Sequence, residues 1–235
     1  MSVYQQQINV TDFLNVVREP LAQGDAAQLA HAVRIRWRPS ELAPLLRDPS
    51  VDVRRVTAVT LGLIGEEKST PYLIRALRDD DLQVNQMAEH GLWSIWFRNS
   101  NPKAAKPFRE GVALLSDESY DFAISKFQES IQLDPQFPEA YNQCAVAHYF
   151  VAQWEDAIGE CRKTIELIPS HFGAIAGMGH CYTQIDNLPQ AMRCYRQALR
   201  INPRMQAISK AIQRIEGKSH DLDSSGEFLL DQIMQ

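Results

Sequence analysis

The chain has 235 residues, of which 45% are apolar and 23% are charged, a balance typical of a folded protein rather than a disordered one. The net charge of −5 is mild, and the residues before position 100 include 11 basic and 12 acidic side chains, so neither half has the basic excess that binds a phosphate backbone. No apolar run approaches the roughly 18 residues needed to span a bilayer, and the first residues do not form a secretory signal. We therefore expect a cytoplasmic protein with no membrane contact, for which nucleic acid is an unlikely partner.

The first hundred residues contain a weak repeat with an offset of 31 positions. Upstream of it, residues 11–23 and 26–37 predict an irregular helix pair. LAPLLRDPSVDVRRVTAVTLGLI at 42–64 then aligns with YLIRALRDDDLQVNQMAEHGLWSI at 72–95, so that leucines, valines and isoleucines share columns. This pattern resembles HEAT repeats, whose units are stacked helix pairs of roughly 40 residues. The acidic run at 79–81 would lie in a turn, where carboxylates cap the following helix, and we favour this interpretation over a metal site.

The second half contains three similar copies of one amphipathic helix, spaced 34 residues apart. The copies are AISKFQESIQLDP at 123–135, AIGECRKTIELIP at 157–169 and AMRCYRQALRINP at 191–203. The shared columns are Gly111, Ala145 and Gly179; Ala123, Ala157 and Ala191; and Pro135, Pro169 and Pro203. This period and these columns resemble the tetratricopeptide repeat (TPR) family, whose unit is a pair of antiparallel helices. The small residues allow the two helices to cross closely, and the proline ends the second helix.

Three further segments complete the predicted architecture. Residues 206–216 carry one apolar side and resemble the extra helix that caps such arrays. Pro107 stands where the family prefers an aromatic residue, so we expect the first helix of the first unit to begin near it. The sequence thus predicts an all-α fold, a curved α-α superhelix (solenoid) of HEAT-like pairs followed by three TPR units and a capping helix. Its domains would be 1–100 (HEAT-like), 101–217 (TPR with cap) and 218–235, a tail that could form a short amphipathic helix.

No residue pattern indicates catalysis or a cofactor. The sequence has no glycine-rich phosphate loop, nucleophile elbow or zinc-type Cys/His spacing. Cys144 and His148 have the i, i+4 spacing that two metal ligands can use, but they fall in columns that pack inside the helix pair. We favour core packing at these positions, and predict a protein that is not an enzyme, with no catalytic residues, no metal and no cofactor.

Helical repeats instead supply a binding surface, and the TPR resemblance implies where it lies. In that family the first helix of each unit lines a concave groove. The corresponding residues of this sequence are Phe108, Arg109, Val112, Leu115, Glu139, Asn142, Gln143, Val146, Tyr149, Phe150, His180, Thr183 and Gln184. We predict that a so far unidentified protein or peptide binds there, with Asn142 hydrogen-bonded to its backbone and Tyr149 and Phe150 as anchors. Tyr149 and Phe150 could equally pack between adjacent repeat units instead of contacting a ligand.

One known TPR ligand is not expected. Relatives that hold the C-terminal carboxylate of chaperones use a clamp of lysine, asparagine and arginine side chains. The matching residues here are Phe108, Val112, Gln143, Gly173 and Gly177. Because the cations of the clamp are missing, we expect no binding of chaperone C-terminal carboxylates.

The alternative function is nucleic-acid binding through the HEAT-like half. Basic and aromatic residues cluster there, and Arg54, Arg55, Trp93 and Trp96 form a possible secondary surface. Interleaved acidic residues and the near-neutral charge of this half weaken the alternative.

Overall fold

A computed structural model describes residues 8–98 and 100–217. It divides into two compact units, Met1–Asn99 and Ser100–Gln235, which we call unit 1 and unit 2. All regular secondary structure in the described residues is helical, so the fold is all-α. None of the helices in these residues is both long and apolar enough to cross a membrane. The amphipathic helix predicted for 218–235 lies outside the described residues.

Unit 1 contains six α-helices and two short 3-10 turns among its described residues. The helices are α1 Val10–Gln23, α2 Ala26–Arg34, α3 Pro39–Leu42, α4 Val51–Ile64, α5 Thr70–Ala76 and α6 Leu82–Arg98, with 3-10 turns at Ala43–Arg47 and Glu67–Ser69. The long helices α4 and α6 pack side by side, and a Cβ atom built on Gly62 would lie 3.0 Å from the Cα atom of Gly91. The two backbones approach this closely because neither residue has a side chain.

The acidic turn before α6 links the two HEAT-like pairs of unit 1. Asp81 Oδ1 accepts a hydrogen bond from the backbone N–H of Val84 at 3.0 Å, which caps the helix as predicted. The same carboxylate accepts two hydrogen bonds from Arg55, at 3.0 and 2.6 Å. Arg54 donates similarly to Asp79, at 2.8 and 3.0 Å. Two adjacent arginines of α4 are thus tied to the turn between α5 and α6.

Unit 2 contains three helix pairs followed by one further helix. The pairs are α7 Pro102–Ser116 with α8 Tyr120–Leu133, α9 Pro138–Phe150 with α10 Trp154–Leu167, and α11 Phe172–Gln184 with α12 Leu188–Ile201. The last helix, α13, spans 206–217 and buries Ile208 and Ile215 against the apolar side chains of the third pair. This confirms three TPR-like pairs with a capping helix.

In each helix pair, the small residue of the first helix packs against a second-helix residue whose size differs from pair to pair. A Cβ atom on Gly111 would lie 2.7 Å from the ring of Phe127, and one on Gly179 would lie 2.7 Å from the ring of Tyr195. In the middle pair the small residue is Ala145, and its neighbour in the same column as the two rings is Cys161. A methyl group is accommodated where the partner is small, so the two columns compensate in volume.

The turn inside each pair also repeats. Glu118, Ala152 and Asp186, each 34 residues from the next, have left-handed backbone angles with φ of 59°, 58° and 56°.

The expected start of the first TPR-like helix near Pro107 was wrong. Helix α7 begins at Pro102 and Pro107 lies inside it, because Asn101 caps the helix by accepting hydrogen bonds from the backbone N–H groups of residues 103 and 104.

Candidate protein-binding groove

The first helices of the three TPR pairs lie side by side, since α9 contacts both α7 and α11. We call the thirteen residues predicted from these helices the groove face. Arg109, Phe150 and Gln184 are exposed; Val112, Leu115, Gln143, Val146, Tyr149, His180 and Thr183 are partly buried; Phe108, Glu139 and Asn142 are buried. Ten of the thirteen side chains therefore reach solvent to some degree, and three do not.

The three buried residues correct the sequence-based expectation that they are accessible. Phe108 is 4% exposed because it packs against Phe127 and Phe137 in the core of the first pair. Asn142 is 5% exposed, and its amide donates a hydrogen bond to Glu139 Oε1 at 2.8 Å. One N–H of that amide is thus used inside the protein, and burial leaves little of Asn142 for the expected contact to a ligand backbone.

Glu139 is the centre of a buried hydrogen-bonded network that sequence reasoning missed. Its Oε1 atom also accepts from Gln143 Nε2 at 2.7 Å, and its Oε2 atom lies 3.0 Å from His171 Nε2. Both Glu139 and His171 are completely buried. The other imidazole nitrogen, His171 Nδ1, accepts from the backbone N–H of Ala174 at 3.0 Å and caps α11. Since α11 starts here, the network joins the first helices of the second and third pairs.

An aromatic cluster lies at the C-terminal end of α9. Phe150 is 57% exposed and stacks on Tyr120, with ring centroids 4.9 Å apart and planes inclined by 10°. Tyr149 makes edge contacts with Trp154 and His180, at centroid distances of 5.0 and 6.5 Å. The two neighbouring aromatic residues thus differ: Tyr149 packs between pairs, whereas Phe150 presents most of its surface to solvent.

Polar groups of the third pair complete this end of the groove face. The hydroxyl of Tyr195 lies 2.8 Å from His180 Nδ1 and 3.1 Å from the Thr183 hydroxyl. Gln184 donates to the Tyr149 hydroxyl at 3.2 Å. Burial lowers the pKa of His180, so its neutral form is favoured. The groove face here is apolar and amide-rich, with an uncharged imidazole.

The charged residues of the possible secondary surface of unit 1 are paired within the protein. Arg54 and Arg55 are held by Asp79 and Asp81 as described above, and these pairings raise the pKa of both guanidinium groups. Trp96 is only 2% exposed, and the partly buried Trp93 meets it edge to face, with centroids 5.2 Å apart. A cavity of about 480 Å³ nearby is lined by both arginine and aspartate side chains. Paired arginines, one buried ring and one partly buried ring give no support to the nucleic-acid alternative.

Inside the second helix pair, the structure brings together three groups that can bind metal ions. Cys144 and His148 of α9 meet Glu160 of α10, and one ligand atom from each lies within 4.8 Å of the others. Burial raises the pKa of the Cys144 thiol and of the Glu160 carboxyl group. The sequence spacing had indicated only the first two residues, because the third comes from the other helix of the pair.

Comparisons with known proteins agree with the helical pattern. A family model described as HEAT repeats matches residues 39–125. The TPR domain of Sgt2 from Aspergillus fumigatus superimposes with a TM-score of 0.50 at 17% identity, covering 53% of this chain and 84% of that domain. The chain is therefore similar to HEAT repeats over residues 39–125, and its helix pairs share the fold of a TPR domain.

Two curated relatives also match the chain. Small glutamine-rich tetratricopeptide repeat-containing protein 2 of Mycosarcoma maydis is 23% identical over 110 residues, which are 47% of this chain and 31% of that protein. Hsp70-Hsp90 organizing protein 1 of Glycine max is 24% identical over 136 residues, 57% of this chain and 24% of that protein. The chain thus spans less than a third of the length of either relative.

Proposed function

We propose that this protein is a non-enzymatic scaffold or adaptor that binds a peptide or helix of another protein on the groove face of unit 2. The observation that carries the proposal is the exposed Phe150, which makes an edge contact with the half-buried Tyr149, whose hydroxyl accepts a hydrogen bond from Gln184. Aromatic side chains that can still bury surface, next to amides that can hydrogen-bond, are typical of protein interfaces. The cytoplasmic location predicted from the sequence is part of this proposal.

The chemistry of the groove face favours a partner with an apolar anchor. Val112, Val146 and Tyr149 are partly buried, and Arg109 is the basic residue of the predicted face. A partner that placed an apolar side chain beside Phe150 would remove much of the exposed ring from water, at about 25 cal/mol per Å² of buried apolar area. Complementary hydrogen bonds from the amides would then select the orientation of the bound segment.

The exclusion of chaperone tails requires a direct test. The positions of the carboxylate clamp hold Phe108, Val112, Gln143, Gly173 and Gly177, of which Phe108 is buried and none is cationic. One relative, however, is named an Hsp70-Hsp90 organizing protein, and this name gives the exclusion no support. We retain the absence of clamp cations as a reason to expect weak binding of an acidic C-terminal peptide. A titration showing micromolar affinity would remove this part of the proposal.

Affinity capture with a matched pair of variants tests the proposed surface. Phe150→Ala combined with Gln184→Ala alters the groove face, whereas Phe122→Ala removes a ring that is 71% exposed on α8, a second helix of its pair. A partner identified by mass spectrometry with the unaltered chain should be lost with the groove variant and retained with Phe122→Ala. Binding of the purified partner should weaken at least tenfold. A partner that persists with the groove variant, or is lost equally with both, would contradict the assignment.

A further inference from the structure

We propose that Cys144, His148 and Glu160 form a zinc-binding site inside the second TPR pair. Their ligand atoms lie within 4.8 Å of one another, with Cys144 and His148 buried and Glu160 partly buried. Thiolate, imidazole and carboxylate are the three ligand types that zinc takes from proteins. Around a tetrahedral ion such atoms are about 3.3–3.8 Å apart, so a closure of roughly 1 Å would complete the site.

The columns of the repeat show that this arrangement is specific to the second pair. In the first pair, the residues equivalent to Cys144 and Glu160 are Glu110 and Lys126, and they form an ion pair at 2.9 Å. The two columns are therefore adjacent in space wherever the helix pair forms. In the third pair they hold Met178 and Cys194. Among the three pairs, the second places a thiol, an imidazole and a carboxylate together.

A second set of contacts orients the imidazole for metal binding. His148 Nδ1 lies 2.6 Å from Gln153 Oε1, and because this oxygen can only accept, Nδ1 carries the N–H and Nε2 is the ring nitrogen left to bind a metal ion. The backbone of Gln153 is held in place, since its N–H donates to the carbonyl of His148 at 3.0 Å after the left-handed turn at Ala152. Metal-binding histidines usually donate their second N–H to such an oxygen, which fixes the tautomer and the ring orientation.

The electrostatics of the site also suit a cation. Glu160 and Asp156 lie on the same face of α10, and both place negative potential at the Cys144 thiol. A bound divalent ion would supply the compensating charge for the buried Cys144 and the partly buried Glu160, whereas Asp156 is exposed. Three protein ligands leave a fourth position for water, and the partly buried Glu160 is the side from which an ion can enter.

Metal binding would link the two helices of the pair. Cys144 and His148 belong to α9, which also carries Gln143, Val146 and Tyr149 of the groove face. An ion bound between α9 and α10 would hold the central helix of the groove face against its partner helix. Zinc would thus stabilise the middle of the array without touching a ligand on the groove face.

Cobalt substitution tests the site, because Co²⁺ bound to a thiolate gives a charge-transfer band and tetrahedral Co²⁺ has characteristic visible absorption. The full chain, treated with chelator under reducing conditions, is titrated with Co²⁺ and then with Zn²⁺ in competition. We expect one equivalent of Co²⁺ with both bands, displacement by Zn²⁺, and a higher midpoint of thermal unfolding with Zn²⁺. Absence of the thiolate band would overturn the proposal.

Paired variants locate the ion. Glu160→Gln, which preserves the shape of the side chain, should weaken Zn²⁺ binding at least tenfold, whereas Glu155→Gln, an equal charge change at an exposed position of α10, should not. Cys144→Ala should abolish the thiolate band, and Cys181→Ala should retain it. If Cys144→Ala loses helicity, the Zn²⁺ affinity of Glu160→Gln alone tests the site. Equal affinity of the Glu160 and Glu155 variants would assign the metal to surface groups and refute the site.

Discussion

The volume compensation between the two packing columns leads to a quantitative prediction for Gly179→Ala. The new methyl carbon would lie 2.7 Å from Tyr195 Cε1 and 3.2 Å from Cys194 Cβ. The Tyr195 ring cannot swing away freely, since its hydroxyl is hydrogen-bonded to His180 and Thr183. Crowding a packed core in this way typically costs about 1–3 kcal/mol.

A second glycine separates this crowding from the intrinsic effect of alanine on a helix. Gly159 lies in the middle of α10 and is exposed, and no atom outside its own helix lies within 4 Å of a Cβ built there. Gly159→Ala should therefore raise the free energy of unfolding by about 1 kcal/mol, the usual helix-propensity difference. Gly179→Ala has the same favourable helix propensity, but the crowding costs more than this propensity returns. It should therefore lower the free energy of unfolding by about 0–2 kcal/mol.

Urea unfolding followed by far-UV circular dichroism measures both variants. The midpoint should rise for Gly159→Ala and stay level or fall for Gly179→Ala, with little change in the m value. In a Tyr195→Cys background, which reproduces the Ala145 and Cys161 combination of the middle pair, the alanine at 179 should become stabilising. The reasoning fails if Gly179→Ala in the unaltered background is as stable as Gly159→Ala.

Two further predictions concern histidines, one buried and one partly buried. His171→Ala would leave the buried carboxylate of Glu139 without its imidazole partner at 3.0 Å and remove the cap of α11, so we expect a loss of about 3–5 kcal/mol in urea unfolding. Glu139→Gln should cost less, and an equal or smaller loss for His171→Ala would contradict this role of the network. Because burial lowers the pKa of His180, the unfolded chain binds its proton more readily, and the stability that this group provides at neutral pH is lost as pH falls below about 6.5. His180→Gln should show a smaller fall in the urea midpoint between about pH 7.5 and 5.5, and NMR titration of an imidazole with an ordinary pKa would refute the reasoning.

Most of unit 2 could be predicted because its signals are local. The period of 34 residues, the glycine and alanine columns and the repeated proline each reflect a constraint within one helix pair, such as a close crossing or a helix end. Helix α13 could be predicted for the same reason, since one apolar side recurs along it. Pro107 shows the limit of such reasoning, because the cap at Asn101 starts the helix earlier than the proline alone indicates.

The groove face was only partly predictable because accessibility depends on neighbouring residues. The repeat period predicts where the first helices lie, yet Asn142 and Glu139 are buried by contacts that involve Gln143 and a histidine 32 residues after Glu139. Likewise, Arg54 carries the charge expected of a nucleic-acid contact, but the structure pairs it with Asp79. Partners distant in sequence decide whether a charge is free to meet a ligand.

The sequence by itself determined the helical repeat, because the same steric constraints on close helix crossings and helix ends recur at fixed positions along the chain. Only the tertiary structure decided which polar groups meet. Cys144 and His148 are one helical turn apart and could be paired by spacing, whereas Glu160 joins them through the packing of α10 on α9. The physical reason is that helical periodicity sets which face a side chain occupies, while the side chains opposite that face come from another helix and become neighbours only when the two helices pack.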